Sequence, residues 1–147
     1  MRILEKVIAE MHSSMKSGHR EKASALRTLV SKLKDQEIKL RKEISDEETF
    51  KVIKTLIKQR KEAAEIYLNA GRLELAEKEN FEIDILTKYI PEPMSEEDTL
   101  DLIKEIVEEI NAKDLSDIGN VMPIVMRRGK GKVDGKKANI ILRSLLE

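Results

Sequence analysis

The sequence predicts an all-α protein, and three features of the chain support this. Charged residues make up 38% of it and aromatic residues only 3%, a composition typical of amphipathic helices with aliphatic inner faces. Apolar residues recur at three- and four-residue spacing over most of the length. No segment has the alternation, or the content of Val, Thr and Tyr, that a β-strand favours.

Four helices are predicted in the first ninety residues. The first runs from about Ile3 to Ser17 and the second from about Arg20 to Lys42, with Gly18 stopping the first. Their predicted inward residues are Leu4, Val7, Ile8, Met11 and Met15, then Leu26, Leu29, Val30, Leu33 and Leu40.

The third helix is predicted from about Asp46 to Asn69, because Ser45 and Glu48 have the spacing of a capping box. A fourth follows from Arg72 to about Tyr89. Their predicted inward residues are Phe50, Ile53, Ile57, Ala64, Tyr67 and Leu68, then Leu73, Ala76, Ile83, Leu86 and Ile90.

The two prolines of Pro91-Glu92-Pro93 end the fourth helix, because neither can donate a backbone hydrogen bond. We therefore predict three segments. Residues 1–90 form a long-helix bundle or hairpin domain, residues 91–95 a proline-rich hinge, and residues 96–147 a small three-helix tail domain.

Three helices are predicted in the tail. Ser95 caps one from about Glu96 to Asn111, and Ser116 opens the next. Pro123 falls inside that second helix, so we expect a kink or a restart there. The last begins near Asp134. The predicted inward residues of the first of these helices are Leu100, Ile103, Val107 and Ile110. Those of the second are Ile118, Val121, Met122, Val125 and Met126, and those of the last are Ala138, Ile141, Leu142 and Leu145.

Composition also excludes several classes of protein. The lack of cysteine excludes disulfides and thiolate metal sites. Apolar runs are too short for a membrane span, and the N-terminus lacks the apolar core of a signal peptide. We therefore expect a cytoplasmic protein without a membrane partner. Only two glutamines, beside abundant Lys and Glu, suggest a thermophilic source.

Residues suited to catalysis are few. Ser13 and Ser14 lie near His12, but helical neighbours in sequence do not face one another. Paired carboxylates such as Glu47-Glu48 lie in first turns, where the helix dipole explains them. We therefore expect no catalytic residue, no metal site and no cofactor in this chain, and no turnover by the chain alone.

The neutral net charge hides a strong asymmetry. Nine acidic and two basic residues lie between Glu96 and Asp117, whereas seven basic residues and one acidic residue lie between Arg127 and Arg143. A basic cluster beside an acidic helix favours a localised anionic partner over indiscriminate coating of nucleic acid.

The loop before the last helix carries this charge. Its predicted RNA-binding residues are Arg127, Arg128, Lys130, Gly131, Lys132, Lys136 and Lys137. It is not a Walker A loop, because neither Gly-Lys pair precedes Ser or Thr. Glycines let backbone amides approach phosphate, although a solvated interhelical turn is an equal alternative.

A second basic group comprises Lys58, Arg60, Lys61 and Arg72, for which a solvated helix face is the alternative. No aromatic residue accompanies either group for base stacking. Contacts to phosphate and to RNA shape are therefore the expected mode of binding.

Several motifs together resemble one family. They are Leu26-Arg27-Thr28-Leu29, Lys58-Gln59-Arg60-Lys61-Glu62, Gly71-Arg72-Leu73-Glu74-Leu75-Ala76, Leu86-Thr87-Lys88-Tyr89-Ile90-Pro91, Gly119-Asn120-Val121-Met122 and Lys130-Gly131-Lys132-Val133-Asp134-Gly135. On these the chain resembles YqeY-type proteins of the GatB/YqeY group. The last two motifs are also similar to the tail domain of the B subunit of glutamine-dependent aspartyl/glutamyl-tRNA amidotransferase.

The resemblance implies a long-helix domain joined to a three-helix tail, and it implies tRNA, since the amidotransferase tail grips the tRNA body. Three hypotheses follow. The protein is a tRNA-binding accessory protein, a non-catalytic component of a tRNA-dependent amidotransferase, or a helical protein–protein interaction module. The family is grouped with carbon–nitrogen ligases that use glutamine as amide donor, which implies an amidotransferase or aminoacyl-tRNA synthetase partner.

Limited proteolysis tests the predicted hinge. We expect the first cut near Met94, because two prolines interrupt the helical pattern there, and we expect the N-terminal fragment to stay helical. Mass spectrometry of the fragments and circular dichroism measure both. A chain that resists cleavage between residues 91 and 95 would contradict the prediction.

Overall fold

The computed structural model describes residues 1–147, and all of its regular structure is helical. The α-helices are α1 (Ile3–Lys16), α2 (Arg20–Leu40), α3 (Asp46–Asn69), α4 (Leu73–Thr87), α5 (Glu96–Ile110), α6 (Ile118–Arg128) and α7 (Gly135–Leu146), with a 3₁₀ turn at Leu115–Asp117. The predicted all-α class is confirmed. None of the helices has both the length and the apolarity needed to cross a bilayer.

The contacts of the chain fall into two compact units, Met1–Ile90 and Pro91–Glu147. Each has its own cluster of buried apolar side chains. Whether the units fold as separate domains, joined by a hinge over residues 91–95, stays a prediction. Met94 belongs to the second unit, because its amide donates to the Lys132 carbonyl over 2.8 Å and its side chain packs on the second cluster.

The unit Met1–Ile90 consists of two helical hairpins, α1 with α2 and α3 with α4, whose short connections place sequential helices side by side. Its core holds inward residues that the apolar spacing predicted, among them Val7, Leu26, Leu29, Leu33 and Ile53, all fully buried. The helical period therefore predicted most of this core.

The far half of the α3–α4 hairpin extends beyond that core. No residue between 58 and 82 belongs to the main cluster, and small side chains at Ala64 and Ala76 let the two helices approach. Leu68 and Leu73, predicted to face inward, are about half exposed or more because they lie near the hairpin turn. Met15 is exposed for a similar reason, since it lies beside the α1–α2 turn.

Helix starts follow the predicted caps. The amide of Glu48 donates to Ser45 Oγ over 3.1 Å, and the amide of Asp98 donates to Ser95 Oγ over 3.0 Å. Each serine thus satisfies one of the first-turn amides that have no partner inside the helix.

Pro123 does not interrupt α6, which runs unbroken from Ile118 to Arg128, so the expected restart is wrong. Because Pro123 is the sixth residue of the helix, it removes a single bond near the start, to the Gly119 carbonyl. The 3₁₀ turn sets the helix start instead, where the Asp117 carboxylate accepts from the Lys113 amide over 2.7 Å.

The core of the unit Pro91–Glu147 draws on α5, α6 and α7. Ile103, Ile106, Val121, Val125 and Leu142 are fully buried within it. The predicted inward residues Ile110, Met126 and Leu145 are more than one third exposed, because the helix ends lie at the edge of a small core.

An ion-pair cluster joins the two helices of the α3–α4 hairpin outside the main core. Arg60 Nη1 lies 3.1 Å from Glu79 Oε2 and also contacts the Glu82 carboxylate. The three side chains are 22%, 18% and 15% exposed, and Arg60 Nε is buried without a partner. Removing the cation would leave two carboxylates together in a poorly solvated place.

Replacing Arg60 by Ala should therefore lower the free energy of unfolding by about 2 kcal/mol, below the roughly 3–5 kcal/mol for a fully buried pair. Urea unfolding of the whole chain measures the change. The control is Lys61→Ala, one position on and exposed, which should change stability by less than about 0.5 kcal/mol. Equal losses from the two variants would show that the ion pairs do not hold the hairpin.

Candidate nucleic-acid interface

The basic loop, residues 129–134, connects α6 to α7 and is anchored at both ends. Gly129 is buried, and a Cβ there would lie 2.3 Å from Val133 Cγ2 and 3.0 Å from the Val125 carbonyl oxygen. Val133 itself is only 2% exposed. The loop can therefore return to the core only because position 129 lacks a side chain.

Between these anchors the chain reverses sharply. Lys130 and Gly131 have positive φ angles of 48° and 80°, and the Lys132 amide donates to the Gly129 carbonyl over 2.9 Å. The Lys132 carbonyl accepts from the Met94 amide. Gly131 supplies the left-handed conformation that a side chain disfavours. These backbone bonds hold the loop and leave its lysine side chains free to contact a ligand.

Asp134 caps α7 and changes the predicted mode of phosphate binding. Its Oδ1 accepts from the amides of Lys136, over 2.9 Å, and Lys137, over 3.4 Å. These first-turn amides are the groups that a phosphate at a helix N-terminus uses. A phosphate would have to displace Asp134 to reach them, so the cationic side chains are the available contacts.

Five basic side chains around the loop carry no ion pair and are exposed: Arg127, Lys130, Lys132, Lys136 and Lys137. The sequence predicted all five as RNA-binding residues. Asp134 is the single carboxylate in the same stretch of chain, and it faces the first-turn amides of α7. The loop and the first turn of α7 therefore form an uncompensated positive surface.

Arg128, also predicted to contact RNA, is engaged elsewhere. Its two Nη atoms donate to the Glu109 carboxylate over 3.0 and 2.6 Å, joining α6 to α5. Hydrogen bonding from Arg128 lowers the pKa of Glu109, and the same bond raises the pKa of Arg128. A bidentate pair of this kind fixes geometry and reduces the charge available to a ligand.

The second basic group divides in the same way. Lys58, Lys61 and Arg72 are exposed, whereas Arg60 is occupied by Glu79 and Glu82. The sequence alone does not distinguish paired from unpaired basic residues. The carboxylates that pair with Arg60 and Arg128 lie on other helices, 19 residues or more away along the chain. Gly129 and Val133 were missed as anchors, since nothing local distinguishes them from other loop residues.

No group of three or more His, Asp or Glu side chains is placed to hold a metal ion. The two histidines of the chain, His12 and His19, are both exposed.

A family model described as Yqey-like protein matches residues 4–146. The chain belongs to the YqeY-like family. The resemblance inferred from the motifs is therefore confirmed at the level of this family. Similarity to the amidotransferase tail is consistent with membership and stays a prediction.

Two relatives of this YqeY-like chain come from yeasts. An uncharacterized protein of Schizosaccharomyces pombe is 37% identical over 82 residues, which cover 56% of this chain and 67% of the relative. Altered inheritance of mitochondria protein 41, mitochondrial, of Saccharomyces cerevisiae is 30% identical over 107 residues, which cover 71% of this chain. The match spans 58% of the length of that relative.

The second relative corrects one prediction. A cytoplasmic location was expected for this chain, but the name of the Saccharomyces protein places that relative in mitochondria. The expectation is contradicted, because the composition of a chain does not distinguish these compartments.

Substitution of Gly129 by Ala tests the anchor of the loop. The added Cβ would overlap Val133 Cγ2, so we expect the free energy of unfolding to fall by about 1–3 kcal/mol. At Gly135, the first residue of α7, a Cβ would meet Met126 only at 3.8 Å. Gly135→Ala should therefore be neutral or stabilising by up to about 1 kcal/mol. Thermal unfolding of both full-length variants measures this, and a harmless Gly129→Ala would contradict the account.

Proposed function

We propose that the protein binds tRNA through the positive surface of the basic loop and the first turn of α7. The proposal rests on one combination of features. The backbone of the basic loop is anchored at both ends, and the lysine side chains on this surface make no ion pair. Lys130 and Lys132 lie in the loop, and Lys136 and Lys137 follow its cap.

Placement of charge supports a polyanionic ligand. Basic and acidic residues are equal in number over the whole chain, 28 of each. The stretch from Arg127 to Lys137 differs from this balance, because its one carboxylate, Asp134, is engaged by backbone amides. Lysines that lie close together along the chain release counterions when they meet successive phosphates, and this release contributes much of the affinity of proteins for nucleic acids. Arg127 adds a fifth exposed cation beside them.

The chemistry of the surface favours recognition of the RNA backbone over its bases. The chain has two Tyr, two Phe and no Trp, and none lies in residues 127–137 to stack on a base. A lysine ammonium group is a compact charge. It lacks the planar set of donors with which an arginine guanidinium makes two hydrogen bonds to guanine. The resemblance to the amidotransferase tail supports tRNA as the particular RNA, with any chemistry on it performed by a partner subunit.

The second basic group offers a further set of phosphate contacts. Lys58, Lys61 and Arg72 are exposed on the α3–α4 hairpin. Arg60 is excluded, because its guanidinium already serves two carboxylates.

Interaction with a helical protein is the second candidate function. Ile66 and Leu73, near the turn of the α3–α4 hairpin, are 66% and 60% exposed. Exposed aliphatic side chains at the end of a hairpin favour docking to a protein rather than to RNA.

Salt dependence of tRNA binding tests the proposal. With about four phosphate contacts, the slope of log affinity against log salt should be roughly −3 to −4. Replacing Lys130 and Lys132 together by Ala should flatten the slope by about 1 to 2 units and weaken different tRNAs alike. Fluorescence anisotropy over a range of salt concentrations measures these slopes.

The matched control replaces Lys104 and Lys113 by Ala, removing two exposed lysines from the acidic region. It should leave the slope unchanged. Equal effects of the two double variants would remove the loop from the site. No binding of tRNA at low salt would contradict the proposal and favour the protein interaction function.

A further inference from the structure

A cavity of about 350 Å³ lies at the turn between α1 and α2, in the unit that lacks the basic loop. Its lining includes Ser14, Met15, Gly18, Arg20, Ser24 and Arg27. This volume falls within the range of small-molecule sites. The RNA-binding proposal uses none of these residues.

The local sequence creates the cavity. Gly18, at a φ of +76°, lets the chain reverse between the two helices. Arg20, Ser24 and Arg27 follow at positions i, i+4 and i+7, which share one face of α2. Ala23 contributes only a methyl group beside them, so no side chain fills the space.

Both arginines at the cavity lack a carboxylate partner. The remaining contact of Arg27 is weak, from Nη2 to Met15 Sδ at 3.9 Å. Glu10, on α1, is engaged by Lys22 and by the Tyr89 hydroxyl. Arg60 and Arg128, by contrast, are paired with glutamates.

A serine hydroxyl also lines the cavity. Ser14 is only 4% exposed, and its hydroxyl has no hydrogen-bond partner in the protein, unlike that of Ser17, which donates to the Ser13 carbonyl over 2.8 Å. The Ser14 oxygen is not fully enclosed, and solvent reaches it. Its proton is therefore available to a ligand oxygen.

The first backbone amide of α2 is already engaged. The Arg20 amide donates to the Gly18 carbonyl over 3.0 Å, so the donors that line the cavity are side chains.

We propose that this cavity binds one phosphate group. Arg20 and Arg27 supply the planar guanidinium groups that pair with phosphate oxygens, and the Ser14 hydroxyl donates a further bond. The volume leaves room for an organic group attached to the phosphate. The phosphate comes either from a small phosphate ester or from the backbone of an RNA, and both sources present the same chemistry to the cavity.

Titration of the ¹⁵N-labelled full chain with inorganic phosphate, at constant ionic strength, tests this proposal. We expect saturable shifts of the amide signals of Gly18, Arg20 and Ser24, and no such shifts with chloride. Arg20→Gln and Arg27→Gln should each weaken phosphate binding by about tenfold, because hydrogen bonds to charged groups are the strong ones. Ser14→Ala should weaken it severalfold with an unchanged unfolding temperature.

The matched control is Lys39→Gln, which removes one positive charge from the same helix about 18 Å from Arg27 by helical rise. It should leave phosphate affinity unchanged. Shifts that fail to saturate, or an equal loss from Lys39→Gln, would overturn the proposal, since both indicate general charge screening.

A competition experiment separates the two sources of phosphate. If saturating inorganic phosphate weakens tRNA binding in the wild type but not in Arg27→Gln, the cavity takes an RNA phosphate. If tRNA affinity does not change, it takes a small phosphate ester. Replacing Lys130 and Lys132 by Ala should leave phosphate binding intact, so failure of the RNA-binding function leaves this site standing.

Discussion

The close approach of Gly129 to Val133 determines the course of the basic loop. Val133 is buried among Val125 and the other side chains of its cluster, and it reaches that position only because Gly129 presents no Cβ to its Cγ2. The positive φ angles at Lys130 and Gly131 follow from this close return. Without it, lysines on a mobile loop would lose more conformational entropy on meeting RNA.

Three arginines have a structural role that the lysines of the basic loop lack. Arg2, Arg60 and Arg128 join elements of structure through pairs with Glu37, Glu79 and Glu82, and Glu109. The lysines around the basic loop have no such pairs. This division suits the chemistry, because guanidinium groups bind carboxylates with fixed geometry, whereas flexible ammonium groups serve as exposed point charges. Arg20, Arg27 and Arg127 have no such pair, and the first two line one cavity at the α1–α2 turn.

The features that the sequence predicted correctly are those that the local spacing of residues determines. The helical class, the caps at Ser45 and Ser95 and most of the buried residues follow from periodicity and side-chain chemistry within a few positions. Met15 and Leu73 are exposed because each lies near the turn of a hairpin. A local sequence pattern does not predict how far a hairpin extends past the core. Ion pairing likewise joins residues on different helices, and the unbroken course of α6 depends on the 3₁₀ turn before it.

Protection of lysines by tRNA most directly tests whether the basic loop is an RNA-binding surface. Acetylation of the protein, with and without saturating tRNA, followed by mass spectrometry, gives the reactivity of each lysine. We expect tRNA to protect Lys130, Lys132, Lys136 and Lys137 strongly and to leave Lys104 and Lys113, which are also exposed, as reactive as before. Uniform protection of all exposed lysines, or protection restricted to Lys58 and Lys61, would contradict it.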